Sequence, residues 1–134
     1  MVLDGDTYWE GTASLLDSKR EVRFIPQKRG HWPLAGTPER LQEFQNFTHD
    51  FVRYQIKGDK LIVSDLRLGM PDNLAFQFQF AQRDSNHQWQ SVTPQRIGRI
   101  TMDTNVDKML DRLAGNQNID PLFGNCRLCT SHKR

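Results

Sequence analysis

Hydrophobic and polar residues alternate most regularly between Leu74 and Phe80, where Leu74, Phe76, Phe78 and Phe80 interleave with Ala75, Gln77 and Gln79. A period of two marks a β-strand with one aromatic face and one largely polar face. Thr7 to Ser14 alternates in the same way, with Tyr8, Glu10, Thr12 and Ser14 on one side, and Leu15–Ser18 then turns the chain. Arg20 to Ile25 reads as a second strand, and the Pro-, Gly- and basic-rich run from Pro26 to Gly36 as a loop. Phe51–Lys57 and Lys60–Leu68 flank Gly58-Asp59, a Gly-X pair suited to a type II′ hairpin turn. Met70–Asn73 is a further turn. Asp84-Ser85-Asn86 leads into a weaker strand over Gln88–Thr93, and Ile97–Met102 could add one more.

Two segments switch to helical spacing. Thr37-Pro38-Glu39 offers a hydroxyl cap, a proline in the first turn and an acid near the positive end of the dipole, with Leu41 and Phe44 as the apolar stripe. Thr104 caps a second helix in which Val106, Met109, Leu110 and Leu113 recur at helical intervals, and Gly115 ends it. The pattern predicts an α+β fold: an antiparallel sheet of five to seven strands, built from hairpins and meanders, with one or two short helices packed on a face. A single domain over residues 1–124 and a basic tail over 125–134 are expected.

A 134-residue chain that is 37% hydrophobic has the material for a core without disulfide staples. No apolar run approaches the roughly 20 residues that cross a bilayer, and Met1–Asp6 lacks the features of a signal peptide, so this chain reads as soluble. The net charge of +2 is too mild to point to nucleic acid. Basic residues do bunch locally at Lys19, Arg20 and Arg23, then Lys28 and Arg29. That bunching is either an ordinary solvated face or a patch for anionic lipid headgroups or phosphate.

Asp65 and Arg67 interrupt the apolar face set by Leu61 and Val63. Two opposite charges on a half-buried strand form a structural bridge or a binding site. Glu10, Asp17 and Asp65 are candidates for acid–base work or a hard metal if the first strand and the Asp65 strand are neighbours. The alternative has Asp65 bridged to Arg67 or Arg23 and Asp17 ordering its own turn. Arg23 and Arg67 suit a bidentate grip on phosphate or carboxylate. Cys126, Cys129 and His132 are weak metal candidates, since zinc needs a fourth ligand and the chain has no second CxxC. His31, His49 and His87 are scattered, and no phosphate loop or nucleophile elbow occurs.

Taken in order, Gly5-Asp6-Thr7-Tyr8-Trp9-Glu10-Gly11, Ser14-Leu15-Leu16-Asp17, Val22-Arg23-Phe24 and Ser64-Asp65-Leu66-Arg67-Leu68-Gly69 carry a resemblance. Over residues 5–82 the chain resembles the C-terminal soluble region of the YdjM/YbcI-like bacterial inner-membrane proteins, known as predicted membrane-bound metal-dependent hydrolases. Leu68 stands where that family usually has Met, and Phe76–Phe80 supplies its closing F-x-F strand. The resemblance implies a parent in the bacterial inner membrane whose metal ligands lie in or beside transmembrane helices. A divalent metal then belongs to that parent, and no cofactor is expected in this chain. The expected function is a soluble, non-catalytic accessory domain that packs on the transmembrane portion or presents substrate to it. The alternative is an independent ligand-binding or hydrolytic domain for an acidic or phosphorylated small molecule, using Glu10, Asp17, Arg23, Asp65 and Arg67. The expected partners are the transmembrane portion and an anionic lipid surface, without nucleic acid.

Overall fold

The structure is a computed structural model that describes residues 1–70, 73–98 and 106–119. In chain order its elements are β1 (Val2–Asp4), β2 (Thr7–Glu10), β3 (Ile25–Lys28), α1 (Glu39–Thr48), β4 (Val52–Lys57), β5 (Lys60–Asp65), β6 (Gly69–Met70), β7 (Asn73–Leu74), β8 (Gln77–Arg83), β9 (Trp89–Arg96) and α2 (Val106–Leu113). The fold is α+β and antiparallel, as the alternation predicts. The strands do not join one sheet of five to seven, however. They divide into a three-stranded sheet ordered β1-β2-β3, a four-stranded sheet ordered β4-β5-β8-β9 and a two-stranded ladder of β6 and β7.

That division follows two compact units, one formed by Met1–Gln27 with the chain after Thr101, the other by Lys28–Ile100. In the first unit, β1 and β2 form a tight hairpin that pairs Asp4 with Thr7. A three-residue strand is too short to show a period, and β1 has no counterpart in the sequence reading. The expected strand over Arg20–Ile25 is displaced: residues 20–24 lie outside any ladder, and β3 begins at Ile25 and contains Pro26. Proline lacks the N–H of a ladder donor, and β3, at the end of its sheet, is an edge strand where that is tolerated. Helix α2 ends as expected, with Gly115 N–H donating to Arg112 O at 3.1 Å and Asn116 N–H to Asp111 O at 3.1 Å, a Schellman closure. Its apolar stripe is not what anchors it. Leu110 and Leu113 are more than half exposed, and Arg112 is the buried residue. Thr104 and the expected strand beyond Gly98 lie outside the described residues.

The second unit holds the main core. Leu41, Val52, Val63 and Phe80 are buried together, with Trp32, Phe44, Tyr54 and Phe78 packed against them. Helix α1 thereby covers one face of the four-stranded sheet, its Phe44 ring edge-on to Phe78 at 5.4 Å between centroids. The helix starts from Pro38 and makes no side-chain cap bond, so Thr37 does not cap it. Instead the Thr37 carbonyl accepts from Gln42 Nε2 at 2.9 Å. The β4–β5 hairpin turns at Gly58-Asp59 as expected, with Gly58 at φ +59° and Lys57 paired to Lys60.

Strand β5 is central, and Leu61 to Asp65 are all buried, on both faces. Strand β8 runs Gln77–Arg83, later than the alternation suggests, because Leu74 belongs to the β6–β7 ladder. The register skips Phe80 against both neighbours, yet Phe80 stays on the same face as Phe78, and both rings pack against Phe44. Opposite it, β9 continues through Pro94, where the ladder is already broken and the strand is an edge.

Candidate functional site

The first charged pair forms where β5 stops. Asp65 is its last residue, and Leu66–Leu68 bend away. Strand alternation is therefore not what brings Arg67 to Asp65. Asp65 Oδ1 accepts the Arg67 backbone N–H at 2.8 Å and Arg67 Nε at 3.0 Å, while Oδ2 accepts Nη2 at 2.8 Å. A short side chain accepting from the backbone two residues ahead is the Asx-turn, and here it shapes the bend itself. The Asp65 side chain is 0% exposed and that of Arg67 34%. Arg67 also donates from Nη1 to the Phe47 carbonyl at 3.0 Å and lies 4.9 Å from the Phe47 ring centroid. The pair thus ties the end of β5 to the last turn of α1. Its hydrogen bonds to Asp65 hold the Arg67 guanidinium above its ordinary value.

The second pair lies in the first unit and has one member that sequence reasoning missed. Ser14 to Asp17 form a turn in which Asp17 Oδ2 accepts the Ser14 N–H at 2.9 Å and Asp17 N–H donates to Ser14 O at 3.2 Å. Asp17 does order its own turn. It also takes a bidentate bond from Arg112 of α2, with Nη2 to Oδ2 at 2.6 Å and a second, very short contact from Nη1 to Oδ1. Arg112 Nη2 further donates to the Thr12 carbonyl at 2.9 Å. Both side chains are 6% exposed. The Arg112 hydrogen bond, then the Ser14 backbone, hold the Asp17 carboxyl down at about 2, well below its ordinary 3.8. Arg112 follows Met109 by three positions and so shares its side of the helix, the one signal that pointed to its burial.

Glu10 is buried in β2, and Arg23 is exposed beyond the turn, both in the first unit with Asp17. Asp65 and Arg67 belong to the second unit. The sequence also gave no sign of Arg53, which is buried in β4 opposite Ser64 and donates to Gln55 Oε1 at 3.3 Å. Cys126, Cys129 and His132 lie outside the described residues. Among the described residues no three His, Cys, Asp or Glu side chains converge as a metal site would need. No helix among them is long and apolar enough to cross a membrane.

Concavities lie in both units, among them a shallow one of about 480 Å³ beside Gln45, Asn46, His49 and Asp50. The first unit has a cavity of about 1100 Å³ lined mainly by polar side chains, Arg23 and Arg112 among them. The second has an apolar groove of about 280 Å³ between Phe44, Phe47, Phe78, Phe80 and Pro94.

Fold and site together define a small α+β protein in which two of the three candidate acids, Asp17 and Asp65, are tied into arginine pairs. No family model, no curated protein and no solved structure matches the chain.

Proposed function

We propose that this chain is a non-catalytic accessory domain of a membrane-bound hydrolase, packing against the parent's transmembrane portion or presenting substrate to it. The parent, its place in the bacterial inner membrane and its divalent metal come from the sequence resemblance over residues 5–82. One structural observation supports the non-catalytic half. Asp17 and Asp65, two of the three candidate acids, have both carboxylate oxygens occupied by an arginine at 6% and 0% exposure. A general acid or base must reach substrate and exchange a proton near the working pH. A carboxyl held at about 2 by its arginine does neither, and a buried carboxylate already accepting from a guanidinium on both oxygens is poorly placed to take up a metal.

Metal analysis of the purified full chain tests the reading. After incubation with manganese or zinc and desalting, the expected content is far below one ion per chain. A stoichiometric ion that disappears in Asp17→Asn or Asp65→Asn would overturn it.

A further inference from the structure

The cavity of the first unit is walled by Ser18, Lys19 and Glu21–Arg23 and by Gly115–Ile119, with Thr12 and Arg112 completing it. The two walls are fixed to each other. Gln117 Nε2 donates to the Lys19 carbonyl at 3.0 Å, and its Oε1 accepts Ser18 Oγ at 3.0 Å. A close backbone approach adds to this: a Cβ on Gly115 would lie 2.6 Å from Leu16 O. Ser14 Oγ also donates to the Leu113 carbonyl at 2.6 Å. A cavity clamped in this way loses little freedom when a ligand enters.

Charge decides what enters. Arg112 lines the cavity, but Asp17 cancels its charge. The uncompensated charges on the walls are Lys19 and Arg23 against Glu21, a positive balance. Among the described residues, neither the Lys19 ammonium nor the Arg23 guanidinium has an ion-pair or hydrogen-bond partner. The Asn116 and Asn118 amides supply both donors and acceptors, and Glu21 supplies acceptors alone. A guanidinium and an ammonium match phosphate oxygens, and neighbouring amides and a carboxylate match hydroxyls.

We propose that this cavity binds the phosphate ester of a small polyol, with the phosphate on Arg23 and Lys19 and the hydroxyls on Glu21 and the Asn amides. A free glycerol or sugar phosphate and the glycerophosphate headgroup of an anionic lipid share that chemistry. The inference stands apart from the accessory reading, because it requires neither a membrane-embedded partner nor the absence of catalysis.

Calorimetric titration of the full chain with glycerol 3-phosphate, glycerol and inorganic phosphate tests it, alongside sedimentation with phosphatidylcholine vesicles with and without phosphatidylglycerol. Glycerol 3-phosphate is expected to bind more tightly than either glycerol or inorganic phosphate. Arg23→Ala and Lys19→Ala should each weaken it roughly tenfold, the loss of one charged hydrogen bond, and Lys60→Ala in the other unit should not. Both wall residues are exposed, so matching melting temperatures will show that the variants fold. Binding of the soluble ester supports a metabolite. Binding only to phosphatidylglycerol vesicles, with the same dependence on Arg23 and Lys19, supports a lipid headgroup. Binding of neither, inorganic phosphate binding as tightly as the ester, or binding indifferent to both substitutions would overturn the proposal.

Discussion

Asp65 accepts from both the backbone and the side chain of Arg67, so one carboxylate shapes a bend and neutralises the cation that crosses to α1. Removing only the arginine strands a fully buried carboxylate. Arg67→Met should therefore destabilise the protein more than Asp65→Asn combined with Arg67→Met, which leaves no charge behind. Urea midpoints of the two variants check the order. The Asp17–Arg112 pair has a pH signature. Its folded carboxyl titrates at about 2 and its ordinary value is 3.8. A depressed folded value means that the unfolded chain binds the proton first, so the pair's stabilisation is complete above the ordinary value and is lost as pH falls toward 2. Acid titration followed by amide exchange in the first unit should show that loss, and Asp17→Asn should flatten it. The sequence showed that Asp65 and Arg67 belong together but gave the wrong cause, since a bend and not strand alternation joins them. It showed nothing of Asp17 with Arg112, whose contact spans 95 positions and depends on tertiary packing.

Elements whose patterning agreed with their surroundings were legible before the fold was known. The Gly58-Asp59 hairpin, the Leu41–Phe44 face of α1 and the Gly115 stop of α2 each rest on local geometry that sequence encodes directly. The misses arose where neighbours decide. Leu74 leaves the long alternating strand for the β6–β7 ladder, although Phe78 and Phe80 keep to one face and both meet Phe44, and the α2 stripe is displaced because Arg112 meets a buried acid. The contrast is measurable. Leu41 is 0% exposed in the core that α1 shares with the sheet, and Leu41→Ala should cost about 2–5 kcal/mol. Leu110, on the expected stripe of α2, is 54% exposed, and Leu110→Ala should stay within about 0.5 kcal/mol. Chemical denaturation of both variants separates the helix that builds a core from the helix held by a charge.

At the scale of the whole molecule, the acids that looked like chemistry are spent on architecture. Asp17 closes a turn onto α2 within the first unit, and Asp65 closes β5 onto α1 within the second. Lys19 and Arg23 lie on the cavity walls without an ion-pair partner among the described residues, and under the proposal they hold the ligand. Sequence could name Arg23 but not its cavity, because the opposing wall comes from residues after 115. What is proposed is a domain that binds and does not turn over. The most direct test is the hydrolysis of a phosphate ester chromogenic substrate by the full chain with added manganese, compared with Asp17→Asn and Asp65→Asn. The predicted result is the same background rate for all three proteins; a rate above background that falls in either variant would contradict it.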